Sequence, residues 1–140
     1  MSGEMDLGLL LVGLEPVLRE GGYVFCTSEE PPFEYLRALE VEALATFREE
    51  EGVTLVVRQE EAERVGLAQG EGEGVWRCIT LQIHSSLEAV GLTAVVASAL
   101  AEVGISANVI AAYYHDHVFV PALRADEAVE VLRGLSSTES

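Results

Sequence analysis

Residues 85–121 read SSLEAVGLTAVVASALAEVGISANVIAAYYHDHVFVP, and their periodicity decides the fold. Leu92, Val95, Val96, Ala99, Leu100 and Val103 recur at three- and four-residue spacing and so share one helical face. Gly91 or Thr93 can open that helix, and Gly104 suits the left-handed position just past its end. The run from Ile105 to Tyr114 is rich in apolar and aromatic residues and predicts a strand. It is expected to pair with Val118–Pro121 across a turn at His115-Asp116. Working outward, Val75–His84 predicts another strand, with Ile79, Leu81 and Ile83 on one face and Cys78, Thr80 and Gln82 on the other. After Pro121, Ala128, Val131, Leu132 and Leu135 again fall at helical spacing. The order is β-α-β-β-α, one strand short of a ferredoxin-like unit.

The first half follows the same plan. Tyr23–Thr27, Val41–Phe47 and Val53–Arg58 predict strands, and Arg48–Gly52 predicts a polar turn. Asp6–Leu14, Phe33–Leu39 and Glu60–Val65 predict short helices, and Val17-Leu18 a short strand. VTLVVRQEEAERVGL (53–67) parallels HVFVPALRADEAVEVLRGL (117–135), and ATFREEEGV (45–53) parallels AAYYHDHV (111–118). These parallels predict an internal repeat divided into residues 1–74 and 75–140, with GLAQGEGEG (66–74) as a flexible link. GEGEG precedes a strand, whereas a dinucleotide-binding loop follows one and opens a helix. Each half lacks a final strand. The open edge can be closed by the other half, by an N-terminal segment such as Glu15–Arg19, or by a partner chain.

Composition narrows function. The chain has 140 residues, 49% of them hydrophobic, enough for one ordinary core or two small ones. Twenty-four acids face eight arginines, with no lysine, for a formal net charge of −16. Lysine Schiff-base chemistry and a P-loop lysine are therefore excluded. So acidic a surface repels nucleic acid and anionic membranes, and no partner of either kind is expected. The charge is heaviest in residues 1–74 (−12) and lighter in 75–140 (−4), which favours the second half as a ligand holder. Cys26 and Cys78 lie in strand-like runs and read as reduced, buried thiols. The start of the chain has no secretory pattern and no apolar run spans a bilayer, so a cytoplasmic protein is expected.

SSLEAVGLTA, GISANVI and YYHDHVFVP, with CTS, ATFREEEGVTLVVRQ and RCITLQIHSSLEAVGLTA, carry a resemblance. The chain resembles the ACT domain family, of the aspartokinase type found in tandem in amino-acid sensors. That resemblance implies an α+β, ferredoxin-like fold of two ACT-like units with antiparallel sheets and helices on one face. It implies a non-catalytic regulatory module that binds an amino acid and acts through a protein partner or a change of oligomer, with a homodimer expected. It places the ligand between Glu88, Ala89, Val90, Gly91 and Leu92 on one side and Asn108, Val109 and Ile110 on the other. It also assigns Asp116 a contact to a basic ligand side chain. The physical counterpart is a helix start whose free N–H groups suit a carboxylate. The rival readings are an assembly module without ligand and an enzyme using His84 or His115–His117. No cofactor is expected. Neither is a metal, since the adjacent turn residues His115, Asp116 and His117 rarely converge on one ion.

Overall fold

The computed structural model describes residues 13–28, 38, 40–67, 74–83 and 91–137. The elements are β1 (Glu15–Leu18), β2 (Tyr23–Ser28), β3 (Ala43–Arg48), β4 (Val53–Arg58) and α1 (Gln59–Val65), then β5 (Trp76–Gln82), α2 (Leu92–Glu102), β6 (Asn108–Ala111), β7 (Asp116–Pro121) and α3 (Ala125–Ser137). The fold is ferredoxin-like α+β. The chain packs as two compact units. One is residues 21–76, and the other joins residues 1–20 to 77–140.

In the unit 21–76, β4 pairs antiparallel with both β2 and β3, and Tyr23 at the start of β2 pairs with Trp76. Val24, Cys26, Val53, Leu55, Val57 and Ala62 form its core, as the alternation along YVFCTS and VTLVVR requires. The REEEG turn forms as expected. Glu49 N–H donates to the Gly52 carbonyl at 2.9 Å, and Gly52 N–H returns to Glu49 at 3.3 Å. Glycine ends α1, with Gly66 in the left-handed conformation and its N–H on the Ala62 carbonyl. The expected helices Asp6–Leu14 and Phe33–Leu39 lie almost wholly outside the described residues.

In the second unit the strands run in the order β1-β5-β7-β6. β1 is the missing fourth strand. Glu15–Leu18 pairs antiparallel with Gln82–Ile79, so the N-terminal segment closes the edge left open by β-α-β-β-α. Pro16 has no N–H to give, which an outermost strand tolerates. Arg19 N–H continues the pairing onto the Cys78 carbonyl at 2.9 Å. Ile79, Leu81, Val118 and Val120 meet Leu92, Val96 and Leu100 of α2 and Ala128, Val129 and Leu132 of α3 in one core. Each of these Val, Leu and Ile side chains, fully buried, stabilises the fold by about 1.5–3 kcal/mol. Arg124 locks the far end of α2. Its guanidinium donates to the Val103 carbonyl at 2.9 Å and to Gly104 at 3.4 Å, and pairs with Glu127 at 2.7 Å. These carbonyls have no helical partner, and a cation there also suits the helix dipole.

Two expectations are corrected. The β6–β7 turn is at Tyr113-Tyr114, not His115-Asp116. Ala112 N–H donates to the His115 carbonyl at 3.0 Å, and Ala111 pairs with Asp116. Tyr113 and Tyr114 are 76% and 84% exposed, so their strand propensity is overruled. The buried pair Val118 and Val120 and the buried Phe119 set the register, and β7 must start early enough to seat them. Val103, expected on the buried face of α2, is 41% exposed, because α2 ends at Glu102.

Candidate functional site

Gly91 opens α2 at φ 100°, ψ −16°, a conformation open to glycine and strained for other residues. Its carbonyl accepts the first helical bond, from Val95 N–H at 2.9 Å. Among the described residues no side chain caps this end, and no acid lies in the first turn. The earliest N–H groups, up to Ala94, have no partner within the helix. The start of α2 thus offers donors and a partial positive charge. Leu92 is buried in the core, so only its backbone can face a ligand. Glu88, Ala89, Val90 and His84 lie outside the described residues.

Asn108, Val109 and Ile110 form most of β6. Directly opposed residues on paired strands point to one face. Asn108 opposes Phe119 and Ile110 opposes His117, so both point away from the helices. Val109 opposes Val118 and packs into the helix-side core that also holds Leu92. The structure therefore brings Leu92 and Val109 into one core. It puts the side chains of Asn108 and Ile110 on the other face of the sheet. Asp116 is the first residue of β7, half-buried, not the tip of the hairpin. Among the described residues, no hydrogen bond or ion pair joins Gly91 or Leu92 to Asn108, Ile110 or Asp116.

The helix-free face carries a polar row that sequence reasoning did not assemble. Thr80 Oγ1 and His117 Nδ1 are 3.0 Å apart, linking β5 to β7. Burial holds the His117 ring below its usual pKa, with Arg19 and His115 adding to the effect and Asp116 opposing it. Cys78, fully buried beside Thr80, has its thiol pushed up by burial, partly offset by the charge and hydrogen bond of Arg19 and by a bond from Thr80. Burial likewise raises Cys26. The rings of His115 and His117 stand edge to face, 6.4 Å between centroids. His115 Nδ1 is shielded from solvent and has no hydrogen-bond partner among the described residues. Among the described residues no three His, Cys, Asp or Glu side chains gather as a metal site, and no helix is long and apolar enough to cross a membrane. The one sequence signal of the row is period-two alternation along WRCITLQ, which puts Cys78 and Thr80 on the face opposite Ile79 and Leu81.

Residues 2–72 and 74–134 each match the ACT domain. No curated protein matches the chain. Among solved structures, a Vibrio cholerae protein described as of unknown function and possibly a transport protein is 48% identical, with 93% of this chain and 95% of that one covered and a TM-score of 0.82. An Agrobacterium tumefaciens protein is 15% identical over 88% of this chain and 89% of that one, with a TM-score of 0.61. The ligand-free regulatory subunit of aspartate kinase from Thermus thermophilus is 13% identical over 86% and 95%, with a TM-score of 0.58, a likeness of fold. The two domain matches together span nearly the whole sequence, and the chain belongs to the ACT domain family as a tandem ACT-domain protein.

Proposed function

We propose that this protein is a non-catalytic, cytoplasmic sensor whose C-terminal ACT-like repeat binds an amino acid and passes the result on through oligomer state or a protein partner. The observation that carries the reading is the start of α2, where Gly91 at positive φ opens the helix and its first backbone donors have no side-chain cap among the described residues. An amino-acid carboxylate suits those donors. The contacts proposed are Glu88–Leu92, Asn108–Ile110 and Asp116, with Asp116 favouring a basic or polar ligand side chain. The division into repeats 1–74 and 75–140 belongs to the same proposal. The regulatory character of ACT domains supports it, as does the likeness to an aspartate kinase regulatory subunit.

The geometry adds one requirement. The helix start lies on the helix side of the sheet, whereas the side chains of Asn108 and Ile110 face the other way. β6 is an edge strand, so its backbone is open on one side. A second copy of the unit would supply the wall that one copy cannot, which supports a homodimer. The test is calorimetric titration of the common amino acids with gel filtration in parallel. Binding of one basic or polar amino acid with a shift in oligomer state is expected. If none binds below about millimolar concentration, where the gain falls under roughly 4 kcal/mol, the assembly-module reading replaces this one.

A further inference from the structure

We propose that Arg19, His115 and His117 form a second binding site, for the carboxylate or phosphate group of a small metabolite, on the helix-free face of the β1-β5-β7-β6 sheet. The site is separate from the start of α2 and does not depend on the reading given above.

Charge is the first argument. In a chain with 24 acids and eight arginines, a guanidinium should find a carboxylate easily. Arg58, Arg64, Arg124 and Arg133 each pair with a glutamate. Arg19 forms no ion pair among the described residues. It stands instead beside Cys78 and within the electrostatic reach of His117. Two of the three histidines join it on the β6–β7 hairpin. Among the groups that act on His117, Arg19 and His115 thus outnumber the one acid, Asp116, in a chain whose formal net charge is −16. The groups acting on His117 are Arg19 from the segment after β1 and His115 and Asp116 from its own hairpin, and Asp116 is the weakest of them. Cys78 on β5, bonded to Thr80, stays an uncharged thiol because burial raises its pKa.

Hydrogen bonding is the second argument. Thr80 occupies Nδ1 of His117, which leaves Nε2 for another partner. His115 Nδ1 is shielded and has no partner among the described residues, and a buried polar atom in that state is costly unless something bonds it. An oxyanion accepts from guanidinium and imidazolium alike, with bonds stronger than neutral ones. Rigidity is the third. Arg19 is held by its own N–H on the Cys78 carbonyl at 2.9 Å and by Arg77, whose Nη2 donates to the Arg19 carbonyl at 2.8 Å. Its side chain therefore starts from a fixed point, which lowers the entropy lost on binding. His115, His117 and Arg19 are each half-buried, partly open and partly desolvated, as a small anion requires.

The test follows the ring C–H signals of His115 and His117 by NMR in the whole chain. Inorganic phosphate and succinate are titrated separately, against sodium chloride at matched ionic strength. Saturable shifts are expected, with an upward move of the His117 titration, because a bound anion favours the protonated ring that burial otherwise disfavours. The anion that saturates first assigns the group. Arg19→Gln is expected to weaken binding about ten-fold, and His115→Asn, which leaves the Arg19 segment untouched, to weaken it likewise. Arg133→Gln, far along the surface of α3, is expected to bind as wild type. Shifts that track ionic strength alone overturn the site, and so does wild-type affinity in either Arg19→Gln or His115→Asn.

Discussion

Replacing Gly91 tests the backbone on which the amino-acid site rests. At φ 100°, ψ −16°, an L side chain crowds its own backbone, at a cost of about 1–2 kcal/mol. Alanine also stiffens the unfolded chain, which offsets about 0.4–1 kcal/mol of that. The net loss for Gly91→Ala is roughly 0–1.6 kcal/mol. For a chain of 140 residues this lowers Tm by up to about 6 °C. Gly91→Val, with a β-branched side chain, loses more, so a valine probe of the ligand space also weakens the fold. Gly91→Asn separates the two effects, because asparagine tolerates the left-handed region. Thermal unfolding by circular dichroism orders the variants wild type, Asn, Ala, Val from most to least stable. Amino-acid titration of the Asn variant then reads the site alone, and a side chain over the helix start should remove binding while Tm stays near wild type. An alanine variant more stable than wild type would refute the strained start of α2.

Stability falls as pH drops below about 6.5, because the unfolded His117 takes up a proton there while the folded ring, its pKa lowered by burial, does not. Unfolding of His117→Gln, followed over the same range, should lose that part of the slope, whereas equal slopes would exclude His117 as its source. Leu132→Ala empties the centre of the core shared by α2 and α3 and is expected to cost about 2–5 kcal/mol by urea unfolding. Cys26 and Cys78, buried and with raised pKa, react with a thiol reagent only as fast as the protein unfolds, and rapid labelling of either in the native state contradicts their burial.

Much of the fold is legible in the sequence where local propensity and burial agree. VTLVVR is a strand by its β-branched run, and it is found at Val53–Arg58 without shift. α2 and α3 follow from apolar spacing, to within a residue or two. Tyr113-Tyr114 misleads because two aromatic residues read as strand, while the register that makes them a turn is set by Val118 and Val120 across the hairpin. The start of α2 is legible through Gly91. The polar row is not, since Thr80 and His117 are 37 residues apart and Arg77 reaches a carbonyl 58 residues back. No window of sequence holds both members of either pair.

The placement of β1 fixes an order of events during synthesis. Residues 21–76 are contiguous and can fold as soon as they leave the ribosome. Glu15–Leu18 emerges first yet pairs with Ile79–Gln82, about sixty residues later. At roughly 5–20 residues per second, β1 waits about 3–12 s for β5. It waits longer for the helices that bury the sheet. In sequence, residues 21–76 are inserted into the other unit, which closes last, by pairing a strand made before the insertion. A nascent chain that has emerged only as far as residue 76 would carry one finished unit and one orphaned strand.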